Sequence, residues 1–99
     1  MTYSVYVRRA AELDLAEGQV WCEDQCNGLG VEFRTEVSRI FDRLTETPLI
    51  YQIAYKDVRR EIVHRFPYLV WYRVHGERVI VLASTHGRQD PKQTISRLG

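Results

Sequence analysis

The residues best suited to chemistry lie close together near the C-terminal end. His86, Arg88 and Asp90 fall within "HGRQD", and Pro91 follows at once. An unperturbed imidazole titrates at roughly pH 6.5, so His86 could give or take a proton. Arg88 could steady a phosphate, and Arg60, from an earlier strand, could join it. The same stretch has two plainer readings. A histidine at a strand end beside an aspartate can simply pin the tail by hydrogen bonds. An exposed polar run can also be a contact surface for a protein partner.

Other candidates are weaker. His64 reads as a satisfied sheet histidine and His75 as a solvated turn residue. Phe66, Trp71 and Tyr72 could stack on bases, but aromatics in strands more often fill a core. Arg88 and Asp90 could form a local ion pair, which at an exposed site stabilises by less than about 1 kcal/mol. Cys22 and Cys26 stand at i,i+4 with no second Cys or His pair at zinc spacing, so reduced thiols are expected and no metal. The chain has no Gly-rich phosphate loop, paired-carboxylate site or nucleophile elbow, and no cofactor is expected.

A chain of 99 residues, 44% hydrophobic and 27% charged, predicts one small globular domain spanning 1–99. No apolar run is long enough to span a bilayer, and "MTYSVYVRRAAELDL" lacks the pattern of a secretory signal. The cytoplasm is the expected location, with no membrane partner. Charge is divided unevenly. Residues 1–55 hold five Arg against nine Asp and Glu, whereas 56–99 hold nine Lys and Arg against four acids. Twelve of the 14 basic residues are Arg, the side chain suited to bidentate pairing with carboxylate or phosphate. The second half should therefore present a cationic surface to an acidic partner.

Those residues need a scaffold. "TYSVYV" (2–7) alternates as a strand. Ala10, Leu13, Ala16 and Val20, with Trp21 beside them, recur at helical spacing between Arg8 and Cys26. Gly18 is out of place there, costing about 1 kcal/mol relative to Ala. "NGLG" (27–30) is a turn. A second helix shows a cleaner stripe of Phe33, Val37, Ile40, Phe41 and Leu44, and stops before Pro48. Residues 49–57 read as a connector of mixed character. Strands are expected at 58–66, 68–74 and 78–86, the last two joined by a tight hairpin at "HGE" (75–77). The order β-α-α-β-β-β predicts an α+β fold: an N-terminal strand and an α-helical hairpin packed on one face of a mainly antiparallel sheet. The other face would be left for the arginines.

This order, with "HRFPY" (64–68), "WYRV" (71–74) and "VLASTHGRQDP" (81–91), resembles the RelE/ParE superfamily of type II toxin–antitoxin toxins, often called plasmid stabilisation proteins. The resemblance covers nearly the whole chain. It implies a toxin neutralised by a cognate antitoxin, whose extended or helical, often acidic segment orders on the toxin surface in a hetero-oligomer. It also implies one of two targets, DNA gyrase inhibited by binding or mRNA cleaved on the ribosome.

Cleavage by 2′-hydroxyl attack needs a proton acceptor, a proton donor and cations around the phosphate. His86, Arg88 and Arg60 would be that catalytic set, lying near positions that RelE-like nucleases use. Three features depart from the nuclease pattern. Leu69 follows Tyr68 where an arginine often stands, Ile62 stands where a basic residue is common, and "DPKQTISRLG" (90–99) has no tyrosine. The expectation is therefore a ParE-like toxin that binds gyrase, with Arg59, Arg60, Arg65, Arg73, Arg88 and Lys92 contacting antitoxin or target. A ribosome-dependent endoribonuclease is the alternative, and a degenerate antitoxin-binding member the third, so enzymatic activity stays open. The tail 90–99 is expected to be mobile until antitoxin covers it.

Overall fold

The computed structural model describes residues 2–98. Strand β1 (Ser4–Val7) leads into α1 (Arg9–Gln25) and α2 (Leu29–Leu44). A 3-10 turn at Pro48–Ile50 is followed by β2 (Ile53–Tyr55), β3 (Val58–Ile62), β4 (Tyr68–His75), β5 (Arg78–His86) and α3 (Pro91–Leu98). The strands make one sheet in the order β1-β5-β4-β3-β2. Its neighbours are antiparallel except that β1 runs parallel to β5.

The expected α+β arrangement is present, with two additions. Residues 53–55 form a short edge strand, because Lys56 takes a left-handed φ of 52° and folds them back along β3. The tail expected to be mobile contains α3. Asp90 starts that helix, its Oδ1 accepting from the Lys92 N–H at 3.0 Å, and Pro91 occupies the first turn where no N–H is needed. The strand expected at 58–66 ends at Ile62. Beyond it Arg65, at φ 68°, helps close a loop in which Val63 N–H donates to the Tyr68 carbonyl at 2.9 Å.

The helical hairpin turns at Gly28, whose φ of 91° suits a residue without Cβ. The Glu23 carboxylate accepts from the N–H groups of both Gly28 and Gly30, tying the end of α1 to the start of α2. Helix α2 buries Phe33, Val37, Ile40 and Leu44, as its stripe predicts, and Glu36 beside them. Helix α1 differs. It buries Ala11, Leu15, Gly18 and Cys22, and its more conspicuous stripe faces outward.

Two apolar clusters flank the sheet. The larger lies between sheet and helices and includes Phe33, Ile40, Val70, Tyr72 and Val81. The smaller, on the opposite face, joins Val58, Trp71, Leu82 and Ala83 to Leu98 of α3. A register shift between Trp71 and Tyr72 leaves Leu82 as the extra residue of a bulge in β5. The β4–β5 hairpin closes at Gly76 (φ 62°) and Glu77, the pattern of a type II′ turn. Cys22 is buried, Cys26 is exposed, and both thiols are free. Among the described residues no helix is long and apolar enough to cross a membrane.

Candidate functional site

Side chains alternate across a strand, so each arginine's register decides its face. On β4, Tyr68, Val70 and Tyr72 point to the helices, and Leu69, Trp71 and Arg73 point away. Arg60 pairs with Trp71 across β3–β4 and shares that outer face. Its guanidinium carbon lies 5.5 Å from the Trp71 ring centroid, and Trp71 Nε1 donates to Thr85 Oγ1 at 2.8 Å. Arg73 Nε reaches the Asp57 carboxylate at 3.1 Å. Arg78 lies over the Tyr6 ring at 5.8 Å on the β5–β1 side. A guanidinium stacked on an aromatic keeps its N–H edge free for a carboxylate or phosphate. The outer face thus presents Arg60, Arg73 and Arg78 among exposed apolar side chains such as Ile62 and Tyr6, with α3 covering part of it.

His86 sits on the other side of the sheet. Its ring meets Trp21 edge-on at 5.4 Å and Tyr68 at 5.2 Å, and Tyr68 packs in turn on Phe33 at 5.1 Å. His86 Nδ1 accepts from the Arg88 backbone N–H at 3.1 Å, which places the proton of the neutral ring on Nε2. Burial pushes the Tyr68 phenol above its ordinary range, so this neighbour stays protonated at neutral pH. A polar pocket of about 260 Å³ adjoins the cluster, walled by Asp14, Ser84, His86, Gln89 and Arg97 among others. Within it the Asp14 carboxylate already accepts from the Ser84 N–H at 3.0 Å and from Arg97 Nη2 at 2.7 Å.

The structure therefore brings His86 and Arg88 together through the backbone and puts Arg60 across the sheet from them. The remaining basic residues divide. Arg59 donates to the Leu49 and Tyr51 carbonyls on the helix side, and Arg65 pairs with Glu32 and Glu36 of α2. Both have structural partners. The Arg88 side chain is exposed and forms no ion pair among the described residues, and Lys92 is exposed in the first turn of α3. Asp90 caps α3 rather than pairing with Arg88. His64 is exposed in the turn after β3, not held in the sheet.

Sequence reasoning missed Arg78. Once the hairpin register is known, period-2 spacing places it on the outer face with Ile80 and Arg73. Arg8 and Arg97 were also overlooked. Arg8 Nε donates to the Leu82 carbonyl at 2.8 Å and its Nη2 to the Arg97 carbonyl at 2.9 Å. No pattern of nearby residues signals contacts between opposite ends of the chain.

Comparison with known proteins is consistent with this fold. A chromosomal ParDE toxin–antitoxin system from P. aeruginosa superposes with a TM-score of 0.75 at 16% identity, over 86% of this chain and 96% of that one. The E. coli toxin RelE in the free state, a double arginine-to-alanine mutant, gives 0.73 at 14% identity over 99% and 95%. Both superpositions show a shared fold. No curated protein sequence matches the chain. The family model for the ParE toxin of the type II toxin–antitoxin system, parDE, matches residues 5–91, and the chain belongs to that family.

Proposed function

We propose that this type II toxin arrests growth by binding its target, DNA gyrase, rather than by cleaving RNA. We also propose that a cognate antitoxin neutralises it by laying an acidic segment across Arg60, Arg73 and Arg78 on the outer sheet face. Arg88 and Lys92 would extend that contact at the start of α3. No cofactor takes part, and the cytoplasm is where both partners would be met.

One observation carries the preference. The sheet separates Arg60 from His86, and the His86 ring is wedged into an aromatic cluster with Nδ1 occupied. A phosphate held by Arg60 is out of reach of that imidazole, and a general acid or base must come within hydrogen-bonding distance of the proton it moves. His86 then acts as packing for Trp21 and Tyr68.

The alternative is ribosome-dependent mRNA cleavage by His86 and Arg88. It draws support from their adjacency and from the polar pocket that His86 borders. The test is a gyrase supercoiling assay with protein already shown to stop growth once freed of antitoxin. Inhibition that antitoxin reverses, and that survives His86→Gln, is the expected result. No inhibition at growth-arresting doses, with His86→Gln abolishing arrest in a folded protein, would establish the nuclease instead. A protein that binds antitoxin yet never arrests growth would be the degenerate member.

A further inference from the structure

Helix α1 carries two apolar stripes, and the core uses only one. Leu13, Ala16, Val20 and Trp21 form the other, and Leu13, Val20 and Trp21 are 54%, 60% and 42% exposed. A helix that packs only on its own core has no use for a second stripe, which loses roughly 25 cal/mol per Å² while it faces water. Ala16, Val20 and Trp21 of this stripe line a shallow, open depression flanked by Glu17 and Asp24. The charged residues along this face are mainly acidic, with Arg9, one turn before Leu13, the exposed exception. Glu12, Glu17 and Asp24 are exposed, and none is in an ion pair among the described residues. Glu17 and Trp21 also wall the polar pocket beside His86, where the buried Ser84 hydroxyl has no hydrogen-bond partner.

We propose that this face of α1 docks an amphipathic helix of a partner protein, its apolar stripe flanked by Lys or Arg. One of those cations enters the pocket between Glu17 and Trp21 and donates to Ser84 Oγ. The ammonium or guanidinium group would meet the Glu17 carboxylate and the Trp21 ring together. An acidic helix would instead face three carboxylates, and the pocket's one cation, Arg97, is already held by Asp14. This surface is opposite in charge to the arginine face of the sheet, so the two take different segments. The inference holds whether the toxin is a binder or a nuclease.

The test uses the full chain and two synthetic helical peptides with the same leucine stripe, one flanked by lysine and one by glutamate. Trp21 fluorescence reports binding, since the second tryptophan, Trp71, is only 4% exposed. The lysine peptide should bind saturably and the glutamate peptide should not. Val20→Glu and Glu17→Lys should each weaken the complex by roughly tenfold or more. Lys56→Glu, in the β2–β3 turn, should leave it unchanged, and circular dichroism would confirm that each variant is folded. Equal or tighter binding of the glutamate peptide would overturn the proposal, as would affinity that survives both α1 variants. So would sedimentation showing that the free protein already pairs with a second copy through this stripe, with Val20→Glu restoring the monomer.

Discussion

Gly18→Ala is a substitution whose sign the packing decides. By helix propensity alone the change should stabilise α1 by about 1 kcal/mol. The added methyl, however, would stand 3.1 and 3.2 Å from two ring carbons of Phe33 and 3.4 Å from Tyr68. Phe33 has little room to yield, being fully buried and packed on Phe66 at 5.6 Å and on Tyr68 at 5.1 Å. Overpacking of this kind costs about 1–3 kcal/mol. The net effect is a loss of about 1 kcal/mol, or about 4–8 °C in Tm for a domain of this size. In a Phe33→Leu background the ring edge is gone and the same substitution should stabilise by about 1 kcal/mol. The coupling in the cycle is then about 2 kcal/mol. Urea denaturation of the four proteins measures it. A Gly18→Ala protein more stable than its parent, or strictly additive effects, would refute the close approach of α1 and α2.

Three further perturbations follow from single contacts. Tyr72→Phe removes the buried hydroxyl that donates to the Pro48 carbonyl at 2.6 Å and should cost about 1–3 kcal/mol in urea; a loss below about 0.5 would mean that water replaces it. The Gly28 N–H, and after it the Gly30 N–H, holds the Glu23 carboxyl below the usual range, so its contribution is complete above the unfolded pKa and is lost as pH falls through the folded one. Glu23→Gln should therefore be less stable at pH 7 and show a shallower acid limb, and parallel stability curves down to pH 3 would count against the hairpin tie. The amides of Thr94 to Leu98 should exchange slowly in the free protein, and Leu98→Ala should bring them to coil rates while β4 and β5 stay protected. Coil rates in the unsubstituted chain would restore the mobile tail.

The sheet and the second helix were legible because their patterns are local. Phe33, Val37, Ile40 and Leu44 are all core, and the "HGE" hairpin sets the β4–β5 register. Helix α1 was legible as a helix but not in orientation. Periodicity finds the stripe Leu13–Ala16–Val20, and only tertiary contact reveals that Ala11, Leu15, Gly18 and Cys22 face inward. Small residues make a weak hydrophobic signal where helices come close. The Asp90–Pro91 pair was a helix-start signal that a polar, eight-residue segment obscured. Among the site residues, Arg60 and Arg73 fell on the expected free face because alternation is local. The separation of His86 from Arg60 was not legible, since it depends on a strand register that begins in a loop.

The N-terminal strand also sets a clock. Ser4 N–H donates to the Glu77 carbonyl and Arg8 N–H to that of Val81, while the Arg8 side chain reaches Leu82, 74 positions onward, and Arg97, 89 positions onward. Synthesis at about 5–20 residues per second puts roughly 4–15 s between making Arg8 and making Leu82. Through that interval β1 has no strand to join, and the sheet cannot be complete until β5 has been made. A partner that reads the assembled sheet therefore meets it only after β5 has been made and β1 has joined it.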